Sequence, residues 1–196
     1  MADYYNNVIH KLDRKGKLLS IKDMTNDEWD ITDYNNYRFE FVEYDVKTNR
    51  AIKRIPFFVD ADEITAYLSL INTGKFSTIM DWHTFFAGGN ARAVKKANGN
   101  MEKIVDGIES RKMTMGVNDS GYFVIKVEVG PGKKNSSGAV TPAGDTLESI
   151  SFGISAKEAV VLAKTLESYT NAKKSYCMFN YMRNKKDAMK EEKSAV

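Results

Sequence analysis

Positive charge gathers at two places early in this chain. Lys11, Arg14, Lys15 and Lys17 surround Gly16 against the lone carboxylate of Asp13, and Lys47, Arg50, Lys53 and Arg54 fall within residues 47–54 with no carboxylate among them. Between the two groups runs Tyr37-Arg-Phe-Glu-Phe-Val-Glu-Tyr44, and much later Tyr122-Phe-Val-Ile-Lys126, where rings and charges alternate. Cations interleaved with rings on a strand have a definite use. They neutralise the phosphates of a single-stranded nucleic acid while ring faces stack its unpaired bases. The alternation alone is equally compatible with a solvated sheet face on which Glu40, Glu43 and Glu128 balance the cations.

Other chemistry is scarce. His10 and His83 lack a His-Glu-x-x-His or Cys-x-x-Cys context, so no metal site is expected and no cofactor is implied. Each reads instead as an ordinary strand or connector residue. Cys177 is the single cysteine, with no arranged base and no partner for an internal disulfide. Gly88-Gly89 and Gly130-Pro-Gly132 lack the Walker and dinucleotide-binding spacings. The acidic run Asp23, Asp27, Glu28, Asp30, Asp33 lacks the spacing of a calcium loop and reads as solvated. No nucleophile, base and orienting group can be paired, so an enzyme is not expected.

The elements that must carry the cations are written twice. Ile55-Pro-Phe-Phe-Val-Asp-Ala-Asp-Glu-Ile64 is answered, at the same offset at both ends, by Ile150-Ser-Phe-Gly-Ile-Ser-Ala-Lys-Glu-Ala159. Each is an alternating strand running into Asp60 or Ser155, with Glu63 or Glu158 three positions on, the spacing of a capping box. Ile64, Tyr67, Leu68 and Ile71 map onto Ala159, Leu162, Ala163 and Leu166, all on one helical face. Upstream, Tyr37 to Val46 echoes Gly121 to Val129 with Phe39 matched to Phe123, the second copy holding a longer loop before its last strand.

These signals predict strands near residues 7–12, 17–22, 37–46 and 51–59, and a helix over 61–73 stopped by Gly74. The second set is expected near 101–108, 110–117, 121–129 and 147–154, with a helix over 156–169. The connector, 75–100, holds Trp82, His83, Phe85 and Phe86, expected to pack on the core, then a mobile half around Gly88-Gly89 with Arg92, Lys95 and Lys96. The Gly-, Ser- and Pro-rich loop over 130–144 is expected to be flexible when unbound. Residues 171–196 form a basic extension, either a docked helix or a frayed tail.

The whole, 1–196, reads as one pseudo-symmetric α+β domain: a duplicated unit of four antiparallel strands and a helix over 7–74 and 101–170, two sheets packed with two helices. Net charge is only +3, so charge distribution carries more than the total. No apolar stretch nears the roughly 20 residues that span a bilayer. The start lacks a basic segment followed by an apolar core. No membrane partner is expected, and a cytoplasmic location in a bacterial or virus-infected cell is.

In element order the chain resembles the Whirly family of single-stranded DNA-binding proteins and the related positive-cofactor-four-like coactivators. Phe57-Phe-Val-Asp-Ala-Asp-Glu-Ile64 is similar to that family's passage into its helix, and Lys15-Gly-Lys-Leu-Leu-Ser20 to its Lys-Gly-Lys-Ala-Ala-Leu strand motif, from which Leu18-Leu-Ser20 departs. The resemblance implies sequence-tolerant binding of single-stranded DNA across the sheets, in replication, recombination or transcription, with Lys15 and Lys17 in the DNA-contacting strand. Strand and loop positions, not the family, add Arg14, Lys22, Arg38, Lys47, Arg50, Lys53, Arg54, Lys112, Lys126, Lys133 and Lys134 as phosphate contacts, with Tyr37, Tyr44 and Tyr122 as stacking rings. RNA is the alternative partner, since the same cations and rings serve it. A homo-oligomeric interaction domain, using the Trp82 connector and the Tyr176 to Met182 patch, is the other alternative.

Overall fold

The computed structural model describes residues 7–24, 36–73, 82–91, 93–95 and 101–194. Strands β1 (Val8–Arg14) and β2 (Lys17–Asp23) form a hairpin across Gly16, whose φ of +81° is the left-handed value that favours glycine. Strands β3 (Asn36–Tyr44) and β4 (Ala51–Asp60) complete a four-stranded antiparallel meander in the order β1-β2-β3-β4. Pairing registers Leu19 with Phe41, Ile21 with Phe39 and Phe39 with Phe57, so one face of the sheet is continuously apolar and buried.

β4 runs straight into helix α1 (Ala61–Asn72), because the Asp60 carboxylate accepts the N–H groups of Asp62 and Glu63 at 2.9 Å each. The helix closes at Thr73, whose N–H reaches the Ser69 carbonyl; the expected stop at Gly74 lies outside the described residues.

The second sheet begins earlier than the sequence suggests. Its first strand is β5 (His83–Asn90), inside the stretch read as a connector. A small hairpin of β6 (Ala93–Lys95) and β7 (Met101–Lys103) follows, so the strand expected near 101–108 is not part of the large sheet. Then come β8 (Ile108–Val117), β9 (Phe123–Lys134), β10 (Val140–Pro142) and β11 (Glu148–Ile154). β8 pairs β5 and β9, while β11 and β10 share the other side of β9, all antiparallel.

The stretch over 130–144 is likewise a built hairpin rather than a loose loop. Asn135 Oδ1 accepts the N–H groups of Ser137 and Ala139, and Gly138 takes a φ of +83°.

Helix α2 (Ala156–Ser194) opens on a reciprocal capping box, in which Ser155 N–H donates to Glu158 at 2.9 Å and Glu158 N–H donates to the Ser155 hydroxyl at 3.3 Å. No glycine interrupts it, so it runs on through the basic extension for 39 residues, about 58 Å.

α1 and α2 pack together, tied by Asn72 Nδ2 donating to Glu167 at 2.8 Å and by the Thr65 and Thr170 hydroxyls at 3.0 Å. One core cluster takes in both sheets and both helices, including Phe39, Phe57, Phe123, Phe152, Ile64 and Leu162. Burying each such side chain stabilises the fold by about 1.5–3 kcal/mol before entropy is counted. The protein is thus α+β, and its described residues form antiparallel sheets of four and five strands, a small two-stranded hairpin and two helices. No described helix is long and apolar enough to cross a membrane.

Candidate nucleic-acid interface

Each sheet has an outer face, turned from the core, set by the two-residue period of its strands. On the first sheet Lys22, Arg38 and Phe58 stand in register across β2, β3 and β4, with Ser20, Glu40 and Pro56 one step along and Val42 opposite Arg54 beyond them. Glu40 is the hub: Lys22 lies 3.0 Å, Arg38 2.9 Å and Arg54 3.4 Å from its carboxylate, and the residue is only 6% exposed. Burial works to raise the Glu40 carboxyl. The hydrogen bond from Lys22 and the charges of Arg38, Lys22 and Arg54 outweigh it and hold the group below its ordinary value. Three cations on one carboxylate leave this patch positive. The Arg38 guanidinium also lies 5.9 Å from the centre of the Phe58 ring, within cation–π range.

The second sheet's outer face is built differently. Phe86, Lys112, Glu128 and Ser149 stand in register across β5, β8, β9 and β11, with Thr84, Thr114, Lys126 and Ser151 beside them. Lys112 and Lys126 both lie 2.9 Å from Glu128. Burial would raise the Glu128 carboxyl, but hydrogen bonds from the two lysines pull it below its ordinary value.

Rings flank this patch. Phe86 is 60%, Tyr122 52% and Trp82 47% exposed. Trp82 lies over Gly116, where a Cβ would stand 3.0 Å from the indole Cδ2, so the absence of a side chain there lets the ring lie close on the strand. At the other end the β9–β10 hairpin curls over the face. Val140 sits on Gly88 and Gly132, where added Cβ atoms would meet it at 2.5 and 2.8 Å. The face is thereby a trough, with rings along it and Lys133 and Lys134 exposed on the hairpin at its end.

The other expected phosphate contacts divide into three groups. Lys15, Lys47 and Arg50 are exposed on turns at one end of the first sheet, brought together where Tyr44 N–H donates to the Gly16 carbonyl. Asp45 holds the second of these turns by accepting the N–H groups of Lys47 and Thr48 at 2.8 Å each. Arg14 is committed to Glu158. Its hydrogen bond, with those from the Ser155 backbone and hydroxyl, draws that carboxyl down to about 2.

Lys17 and Lys53 are not on the outer face at all. They share the inner face with Glu43, at 3.7 and 3.8 Å, and donate to the Ser151 and Ser149 carbonyls of β11 at 3.2 and 3.4 Å. There they cover an otherwise open strand edge.

Among the rings, Tyr37 is corrected outright. It is 2% exposed on the core face, its hydroxyl 2.6 Å from Thr170, and burial pushes that hydroxyl up to about 12. It shares the parity of Phe39 and Phe41, so it could never have faced outward with Arg38. Tyr44 is half-buried on the outer face, donating to Asp13 at 2.9 Å and to the Arg14 carbonyl at 3.1 Å.

Trp82 and Phe86 are site residues that the connector reading of 75–100 misses. The signal was there: in residues 82–88 the inward His83, Phe85 and Ala87 alternate with the outward Trp82, Thr84, Phe86 and Gly88. Of the expected acidic run, Asp23 is buried and anchors α2 through Lys173 and the Tyr169 hydroxyl; Asp27, Glu28, Asp30 and Asp33 lie outside the described residues. His10 is half-buried on β1, and burial lowers its pKa. His83 stacks on Tyr67 with ring centres 4.8 Å apart, and Cys177 is buried on α2. Comparison with protein-family models, curated proteins and solved structures finds no match to this chain.

Proposed function

We propose that this chain is a non-enzymatic, sequence-tolerant single-stranded DNA-binding protein of Whirly-like architecture, cytoplasmic and serving replication, recombination or transcription. The observation that carries it is the second sheet's trough, where Trp82, Phe86 and Tyr122 are exposed beside Lys112 and Lys126 and the hairpin lysines close one end. A large ring left in water on an open sheet face, next to cations, suits the face of an unstacked base beside its phosphate.

Pairing registers support the duplicated unit. Phe57 faces Phe39 as Phe152 faces Ile125, and Ile21 and Leu19 answer to Met115 and Met113, each of them buried. On this basis Phe39 corresponds to Ile125 rather than Phe123, a shift of two that keeps the same face. Even His10 and His83 fall together, opposite Ile21 and Met115.

The test is a titration of fluorescently labelled oligo-dT of about thirty nucleotides across salt concentrations, with duplex DNA and RNA of equal length in parallel. If about five phosphates are neutralised, the logarithm of affinity falls against the logarithm of salt with a slope near about −3.5. RNA bound as well or better moves the function to RNA, and no binding at low salt sinks both.

The assembly reading has its own support. Tyr176, Met178, Phe179, Tyr181 and Met182 are all exposed within seven residues of α2, around the buried Cys177. We propose a homo-oligomer built through this stretch, to be read by sedimentation of the wild type against a Phe179→Ser, Met182→Ser variant. An unchanged sedimentation coefficient refutes it.

A further inference from the structure

β4 ends the first sheet and β5 ends the second, and between these two strands lies a groove of about 600 Å³ lined by Phe58, Gly88, Gly89, Asn90, Glu109 and Arg111. That volume lies within the range of small-molecule sites, roughly 300–1,000 Å³. Its floor is polar and fixed: the Arg111 side chain bonds Glu109 through Nε and donates to the Pro56 carbonyl at 2.5 Å, with Glu109 2% and Arg111 8% exposed. The remaining Glu109 oxygen, Oε2, is buried and has no hydrogen-bond partner among the described residues. A buried carboxylate oxygen without a donor is a standing penalty that a ligand N–H would relieve. Gly89 leaves the groove unfilled, since a Cβ there would meet nothing within 4 Å. Phe58 supplies an aromatic surface at the point where the groove joins the Arg38–Glu40–Arg54 patch.

We propose that this groove holds one unpaired nucleobase of a bound single strand, stacked on Phe58 with an N–H edge turned to Glu109, while Arg38 and Arg54 hold the neighbouring phosphates. This rests on the single-stranded nucleic-acid reading, and it adds a base site separate from the second sheet's trough. The aromatic ring supplies sequence-tolerant affinity, and the lone acceptor admits any base that presents a donor.

The experiment compares oligo-dT of about thirty nucleotides with an abasic sugar–phosphate oligomer of the same length, using the full chain and two variants, Phe58→Ala and Gly89→Leu. The first removes the ring and the second puts a side chain into the groove from a position where an added Cβ meets nothing within 4 Å; melting curves establish that both are folded. Both variants are expected to lose about five- to a hundred-fold in affinity for oligo-dT, with abasic affinity unchanged. Folded variants that keep the full wild-type preference for bases overturn the groove while leaving single-stranded binding intact. Wild type that binds neither oligomer overturns the functional reading and the groove with it.

Discussion

Replacing Glu40 with glutamine is expected to weaken the fold and strengthen binding, a pairing of signs that few substitutions produce. The carboxylate is buried and serves Lys22, Arg38 and Arg54 at 3.0, 2.9 and 3.4 Å. Removing one partner of a fully buried ion pair costs about 3–5 kcal/mol. Here the Arg54 side chain is 53% exposed and can turn to water, which reduces the expected loss to about 2 kcal/mol. For a chain of this length that lowers the melting temperature by about 4–8 °C. The same change raises the formal charge of the patch by one, from two net positive charges to three, and frees donors that Glu40 occupied. If phosphate takes the vacated position, oligo-dT affinity at low salt rises and the salt slope steepens by about 0.7. Fluorescence anisotropy between about 50 and 200 mM salt, beside a melting curve, reads both quantities. Affinity that falls in step with stability, or a slope that does not move, refutes the reasoning: the cluster is then an ion network that holds β2, β3 and β4 together and nothing more.

Three further outcomes are expected. Trp82→Ala and Phe86→Ala each lower oligo-dT affinity by about five- to a hundred-fold with little change in melting temperature; equal affinity in both removes the trough from the site. Tyr37→Phe costs about 1 kcal/mol through the lost bond to Thr170 and leaves oligonucleotide affinity untouched, since that ring faces the core; weaker binding by a variant of normal stability contradicts this placement. Glu158, held near about 2 against an ordinary 4.5, contributes stability that is complete above its unfolded value and is lost as pH falls through the folded one. The melting temperature of the wild type therefore drops between about pH 4.5 and 2 more steeply than that of Glu158→Gln, and parallel curves exclude the Arg14 pair as the cause.

The helix starts and the core parity of the strands were legible because they depend on neighbours in sequence. Asp60 and Ser155 cap where their spacing to Glu63 and Glu158 predicts, and Phe39, Phe41, Ile55, Phe57, Ile150 and Phe152 are all buried. The alternation of β5 over residues 82–88 was obscured by the adjacent pair Phe85-Phe86 and by Gly88-Gly89, which looks like a turn; Gly88 is there because Val140 lies on it, a demand made by a strand some fifty residues away. The full length of α2 was hidden for the opposite reason. Residues 181–187 are all exposed, and only the absence of a stop signal indicated that the helix continues. Among the cations, direction follows from strand parity and not from charge. Lys17 and Lys53 share a face with Glu43 and end on β11 carbonyls because their parity points inward, whereas Lys22 and Arg38, one residue out of phase, point outward.

A carboxylate at the centre of each outer face is what a phosphate-binding surface should avoid, yet Glu40 and Glu128 both occupy that position. The physical reason lies in what the cations do without a ligand. Three like charges gathered over β2, β3 and β4 repel one another and lose hydration, so a fixed counter-charge is needed to keep them in place on the free protein. A phosphate arriving at such a patch shares donors that are already oriented, which costs little side-chain ordering but leaves each contact weaker than an unshared one. On the proposed single-strand reading, affinity then comes from many contacts and from the rings, and a strand leaves one step at a time. The second sheet is balanced further that way, with two cations on its carboxylate and three exposed rings around them. Cation substitutions on the first face should therefore act mainly on the salt slope, and ring substitutions on the second mainly on affinity at every salt concentration. A common effect of both sets would place base and phosphate on the same face.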